Sequence, residues 1–375
     1  MRVLVSATEL SGDAIGAAVL SALSTRRALT LEGIGGPHLE ALGQRSMSSL
    51  SRLAVMGFWE VLPRLPELLW IRNRLAKRAR TWRPDVLITC DSPDFNLPLA
   101  RTVKALGIPV VHIASPSVWA WRRERIPSIA AALDHLLCLF PFEPALYQGT
   151  HLATTYIGHP LASQIQFNPD VSAVRGRLQV PDGCRVLACL PGSRRSEVAA
   201  RWPVFLAGVI ALKDVIPALH VVVPVASPSL RSLINPGPHR DWIQTVDGQA
   251  RDVLAAADAC LVASGTASLE SVLTGRPTVI AYRLHPSTYR RVMPKLLTPW
   301  ISLPNQLVGR QWIPELIQEH LTVASIVEAL QPRLSGPTDP AFLETARGLH
   351  QTLSTVPIAR AVDAIEVTVS HVHRH

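Results

Sequence analysis

Cysteine is scarce: Cys90, Cys138, Cys184, Cys189 and Cys260 are all the chain has, at no metal-ligand spacing. Set mostly in apolar runs, they imply buried free thiols in a reducing compartment. No run approaches the ~20 apolar residues of a membrane-spanning helix. The opening Met1–Ala7 is too short an apolar run for a secretion signal, and Glu9 and Asp13 follow at once. A cytoplasmic chain is therefore expected. Acidic residues are also few: 28 Asp and Glu against 37 Lys and Arg leave +9. That charge favours anionic partners, whether nucleic acid, a membrane surface or a phosphorylated substrate. No RNA or DNA module accompanies it, so nucleic acid is not an expected partner. No internal repeat of roughly 20–50 residues is visible.

What is present is apolar and periodic. At 375 residues, 48% of them hydrophobic, the chain exceeds the roughly 250–300 residues that one core sustains, so two domains are expected. Short β-branched runs alternate with helical stretches throughout, the pattern of parallel-sheet α/β units. Strands are predicted at 3–6, 31–34, 86–90, 109–113 and 135–139, then at 186–190, 220–223, 243–246, 259–262 and 278–282. The change between the two series falls at Ile157-Gly158-His159-Pro160. The expected architecture is two doubly wound Rossmann-like domains facing across a cleft, 1–165 and 166–355. Residues 356–375 form a C-terminal helix and tail, whose path to the first domain or to a partner the sequence leaves open, as it does a homodimer. Open α/β sheets bind ligands beyond the carboxyl ends of their strands.

Several strand ends carry chemistry. The first βα turn reads Thr8-Glu9-Leu10-Ser11-Gly12-Asp13, where Gly12 permits a tight turn and Ser11 and Asp13 suit an N-cap. Gly33-Ile34-Gly35-Gly36 lacks the acidic residue of a dinucleotide fingerprint. Another strand ends in Asp91-Ser92-Pro93-Asp94-Phe95-Asn96. Asp91 there suits a general base on an alcohol, or a second capping carboxylate, with Asp94 as helix cap. The two acids are not spaced as the Asp-x-Asp by which many transferases hold a cation, so no metal is expected. Trp119 and Trp121, in Ser115 through Arg122, stack a sugar ring or pack a loop. Farther on, Pro191-Gly192-Ser193-Arg194 and Ser264-Gly265-Thr266-Ala267 each join a strand to a helix, with N–H groups and the helix dipole available to phosphate. Arg194 adds a planar set of donors. Glu270, a turn deeper, is placed to accept from ribose hydroxyls. Two such junctions on one domain point to a nucleotide-diphosphate pocket.

Together these segments closely resemble the lipid-A-disaccharide synthase family, inverting transferases of the GT-B architecture. The resemblance runs from Ser6 to about Leu353, and Leu53-Ala54-Val55-Met56-Gly57 and Ser302-Leu303-Pro304-Asn305 join the segments above. Ser-Pro-Ser-Val-Trp-Ala-Trp-Arg is highly specific to it, while the phosphate-type loops are shared with other GT-B enzymes, among them UDP-sugar epimerases. The resemblance implies transfer from UDP-2,3-diacylglucosamine to 2,3-diacylglucosamine 1-phosphate, giving a β-1,6-linked disaccharide phosphate and UDP with no cofactor. Asp91 would be the base. Glu9, Ser11, Gly12, Asp13, Asn96, Ser117, Trp119 and Arg122 would line the acceptor side. Gly192, Ser193, Arg194, Ser264 to Ala267, Glu270, Tyr282 and Asn305 would hold the nucleotide. Thr8 departs from the family's usual Gly, and Ser92 from its usual Ala.

Residues 58–83 combine apolar and basic character. Trp59, Leu62, Leu65, Leu69 and Trp70 suit a lipid interface. Arg72, Arg74, Lys77 and Arg78 suit anionic headgroups, so peripheral attachment to the inner membrane is expected. The alternative is an amphipathic pair packed on the sheet with a solvated basic face.

Overall fold

The computed structural model describes residues 1–50, 53, 64–160, 162–284 and 286–372. The chain divides into two compact units, Met1–Ser163 with Thr352–His375, and Gln164–Gln351.

In the first unit β1 (Arg2–Ala7), β2 (Thr30–Gly35), β3 (Arg45–Ser49), β4 (Val86–Cys90), β5 (Val110–Ile113), β6 (His135–Cys138) and β7 (Ala153–Tyr156) form one parallel sheet. Its order is β3-β2-β1-β4-β5-β6-β7. Every residue of β4, and every residue of β1 after Arg2, is buried, as continuous apolar runs require when helices cover both faces. Helix α1 (Leu10–Ser24) follows β1, α2 (Leu65–Trp82) precedes β4, and α3 (Pro93–Lys104) follows it. On α2 the stripe Ile71, Leu75 and Ala79, spaced by four, faces the core.

The second unit repeats the plan. Strands β8 (Arg185–Leu190), β9 (Leu219–Val225), β10 (Ile243–Asp247), β11 (Ala259–Val262), β12 (Thr278–Tyr282) and β13 (Glu315–Ile317) run parallel in the order β10-β9-β8-β11-β12-β13. Helix α4 (Arg195–Val215) follows β8, and α5 (Thr266–Leu273) follows β11. The stripe Val198, Trp202, Phe205, Val209 and Leu212 buries α4 against this sheet.

The Ile157–Pro160 segment gains a purpose here. Gly158 adopts φ 71°, and a Cβ on it would approach the Leu353 carbonyl oxygen to 2.7 Å. The His159 amide donates to that carbonyl at 2.9 Å. The chain, helical over α6 (Pro340–Ser354), re-enters the first unit at Thr352. Helix α7 (Ala359–Val372) then packs on that unit, with Arg26 and Arg27 paired to Asp363 and Glu366.

Each sheet reverses its strand order once, at β1/β4 and at β8/β11. At such a switch point the connections diverge and leave a crevice beyond the carboxyl ends. The Thr8–Asp13 and Asp91–Asn96 segments flank the first. The Gly192–Arg194 and Ser264–Ala267 segments flank the second.

Candidate active site

Asp91 closes β4 in a strained backbone. It and Ser92 are both left-handed, with φ 54° and 38°, a conformation that costs about 1–3 kcal/mol per residue and persists only where the surroundings impose it. Asn96 imposes it. Its buried Nδ2 donates to the carbonyls of Cys90 at 3.0 Å and Asp91 at 2.9 Å, and its Oδ1 accepts from Ser6 Oγ at 2.7 Å. Asn96 therefore shapes the turn instead of lining the acceptor site.

The Asp91 carboxylate is held by one oxygen. Oδ1 accepts from Thr8 Oγ1 at 3.0 Å, while the buried Oδ2 has no partner among the described residues. Burial and the nearby Glu9 carboxylate push its pKa up to about 7, against the hydrogen bonds from Thr8 and Ser92. A carboxyl poised there is suited to taking a proton at neutral pH. Thr8, where the resembled family has Gly, thus supplies the hydroxyl that holds the candidate base.

Helix α1 sits where only glycine allows. A Cβ on Gly12 would overlap Asp91 Oδ2 and lie 2.6 Å from its Cγ, and one on Gly16, a turn later, 2.9 Å from Cys90 Sγ. Gly12 thus serves close packing of helix on strand end, not the tight turn expected of it. The expected caps are corrected too. Helix α1 starts at Leu10 with Glu9 in the cap position, which leaves Ser11 and Asp13 inside the helix. Asp13 is fully buried and holds another helix start: Oδ1 accepts from the amides of Gly36 at 2.7 Å and Leu39 at 3.2 Å, Oδ2 from that of His38 at 3.0 Å. It has no oxygen to spare for a substrate. Asp94 caps nothing, because Pro93 already opens α3; its exposed carboxylate pairs with Arg125 at 2.8 Å. The Ser115–Arg122 loop mainly packs: Trp119 lies edge-on to Phe142, and Trp121 carries the Arg122 guanidinium over its ring at 4.4 Å. Ser117 and Arg122 are exposed on it.

In the second unit Arg194 is the cap residue of α4, and its guanidinium donates to Glu197 Oε1 at 2.9 Å. Gly192 has φ 134°, with Glu197 and Arg201 pressed against the position a Cβ would take. Gly265 caps α5 at φ 137° with open space beside it, so Ser264, Gly265, Thr266 and Ala267 present an accessible helix start. Glu270 is half-buried, its pKa raised by burial, with Arg251 at 3.6 Å. Two expected contacts are otherwise engaged. Tyr282 lies under the Arg201 guanidinium at 4.7 Å. Asn305 is fully buried with its amide saturated: Nδ2 donates to Ile313 O and Glu315 Oε1, and Oδ1 accepts from the amides of Trp312 and Ile313. It orders a loop and cannot also hold a nucleotide. Sequence reading passed over Arg201, whose signal is a cation on the apolar stripe between Val198 and Phe205.

On α2, Leu65, Leu69 and Trp70 are 42%, 37% and 53% exposed, and Lys77 is exposed as well. Arg78 instead forms a double hydrogen bond with Glu32, at 2.6 and 2.9 Å, and Arg74 donates to the Met47 carbonyl. Arg72 is half-buried. Trp59 and Leu62 lie outside the described residues. No described helix is long and apolar enough to cross a membrane.

A family model described as lipid-A-disaccharide synthetase matches residues 3–354. A lipid-A-disaccharide synthase of Chromohalobacter salexigens is 41% identical over 377 residues, covering 99% of this chain and 98% of that protein. Among solved structures, UDP-GlcNAc 2-epimerase from Neisseria meningitidis, bound to UDP-GlcNAc, aligns with TM-score 0.65 at 13% identity over 99% of this chain and 100% of its own. The glycotransferase of kitacinnamycin aligns with TM-score 0.65 at 17% identity over 98% of each chain. Likenesses this distant speak for the fold alone, a two-domain α/β architecture of the GT-B type. Matched by the family model almost from end to end and by a named relative over nearly its whole length, the chain belongs to the lipid-A-disaccharide synthetase family, glycosyltransferases that form the lipid A disaccharide.

Proposed function

We propose that the chain transfers the sugar of UDP-2,3-diacylglucosamine to the 6-hydroxyl of 2,3-diacylglucosamine 1-phosphate, inverting the donor carbon in one displacement. As the acceptor oxygen bonds to that carbon, its proton passes to Asp91 and the broken bond's electron pair leaves on the diphosphate of UDP. The observation that carries this reading is the Asp91 carboxylate: one oxygen tied to Thr8, the other without a partner among the described residues, its pKa pushed up to about 7. The test is incubation with both lipids and mass analysis for a disaccharide 1-phosphate. A free sugar, or an isomerised donor, as sole product would reject it.

The second unit is the proposed donor site. Support comes from Arg194 at the start of α4 and the open helix start at Gly265, where preorganised donors can stabilise charge gathering on a leaving diphosphate. Arg194→Ala is expected to weaken UDP binding by about 1.5–3 kcal/mol, the range for a charged hydrogen bond. Calorimetric titration checks this. Unchanged UDP affinity in both Arg194→Ala and Glu270→Ala would remove the donor from this unit.

Acyl-bearing substrates argue for a cytoplasmic enzyme held on the inner membrane, and the outer face of α2 is the proposed contact. Its support is the exposed set Leu65, Leu69, Trp70 and Lys77, since each cation near an anionic surface contributes about 1 kcal/mol. Arg78, committed to Glu32, is left out of this face. Changing Leu65, Leu69 and Trp70 to Ser should abolish flotation with anionic liposomes and leave the melting temperature within a few degrees, since surface changes usually cost within about 0.5 kcal/mol. Undiminished flotation would exclude the face.

A further inference from the structure

Beneath the Gly192–Arg194 loop lies a cation that a protein fold does not bury without cause. The Arg201 side chain is 2% exposed, on the core stripe of α4. Its Nη1 donates to the Pro191 carbonyl at 3.3 Å and stands 3.6 Å from Glu197 Oε2, its plane covers Tyr282, and its Nε has no partner among the described residues. For core packing alone an apolar residue of that volume would serve as well or better, because desolvating a guanidinium is costly. The same Glu197 carboxylate holds Arg194 through its other oxygen, at 2.9 Å. Gly192 leaves the space this needs, since its Cβ would stand 2.9 Å from Glu197 Oε2 and 3.2 Å from Arg201 Nη1.

We infer that Arg201 is a positioning residue for the diphosphate of the donor: with Tyr282 as its platform it fixes Glu197, and Glu197 aims Arg194 at the anion. This rests on the reading of the second unit as donor site. Residues in one ion-paired row act as a unit, so their substitutions do not add. A row that aims a cation changes recognition of phosphate but not of the base and ribose.

The experiment titrates the full chain calorimetrically with UDP and with uridine. Arg201→Met should lose about tenfold in UDP affinity, the lower end of a charged hydrogen bond, with uridine binding unchanged, and Arg201→Lys should recover part of the loss. Arg194→Ala combined with Arg201→Met should bind UDP no more weakly than Arg194→Ala alone. Should Arg201→Met fail to fold, Glu197→Gln keeps the shape, severs both ion pairs, and should show the same UDP-selective loss. Equal losses for UDP and uridine, or losses that add in the double variant, overturn the inference, as does an unchanged UDP affinity in a wild-type-like Arg201→Met. Wild-type protein that binds no UDP overturns the donor-site reading itself, and the inference with it.

Discussion

Replacing Asp91 by Asn should lower turnover by about 10²–10⁴-fold, the usual worth of an acid–base group, and at the same time make the fold more stable at neutral pH. The shape survives, since Asn tolerates the left-handed backbone at φ 54° and still accepts the Thr8 hydroxyl. The stability gain follows from the sign of the shift. In the folded chain the Asp91 carboxyl is pushed up to about 7 from a usual 3.8. Folding therefore favours its protonated form. The stability this contributes is complete below about 3.8 and is lost as the pH rises through about 7. An Asn carries no such loss, so the variant's advantage in melting temperature grows across that window and is flat above it. The pH profile of kcat/KM should rise with the ionisation of Asp91. Its limb should move in opposite directions in two neighbours: to lower pH in Glu9→Gln, which removes the like charge, and to higher pH in Thr8→Val, which removes a donor to the carboxylate. Asp94→Asn should remain near wild type, because that side chain is exposed and only pairs with Arg125. A dead Asp94→Asn beside an active Asp91→Asn would reverse the roles.

The central strands were legible because a strand buried on both faces must be an apolar run. The predicted bounds for β4, β11 and β12 coincide with the structure, and the helix expected within 356–375 is α7. The edge strands β3 and β7 and the short β13 carry no such run. No residue of Arg45-Ser46-Met47-Ser48-Ser49 is buried, so polar residues suffice and the pattern disappears. At the candidate site, which loops lie beyond the carboxyl ends of the strands was legible, and what each side chain touches was not. Asp13, Asn96 and Asn305 have the chemistry of ligand contacts, yet each is consumed by groups of the fold itself: Asp13 by amides 23 to 26 residues on, Asn96 by the Cys90 and Asp91 carbonyls just before it and by the distant Ser6 hydroxyl, Asn305 by the loop that follows it. Such partners follow from the three-dimensional path of loops and helices, which a linear reading does not contain. Arg201 was missed for the converse reason, since a cation on an apolar stripe reads as a flaw in the pattern.

Gly12→Ala should do damage far beyond the size of the change. In a helix interior the change ordinarily helps, because Ala loses less backbone freedom than Gly by about 0.5–1 kcal/mol. Gly348→Ala, at an exposed position on α6 where a Cβ would meet nothing within 4 Å, should follow that rule and raise the melting temperature slightly. At Gly12 the new methyl group would occupy the place of Asp91 Oδ2 and press on Cγ at 2.6 Å. Two responses are open. The helix can retreat from β4, which opens the contact at Gly16 and Cys90 and costs about 1–3 kcal/mol, as overpacking does. Alternatively the carboxylate turns away, breaks its bond to Thr8, and leaves the reacting geometry. Either way the proposed base is displaced, so turnover should fall as far as in Asp91→Asn, by about 10²–10⁴-fold. The proposed donor site in the second unit should keep its UDP affinity, which separates loss of that base from general unfolding. Activity in Gly12→Ala within about threefold of wild type would show that Asp91 can move without consequence, an outcome incompatible with proton transfer at a fixed atom.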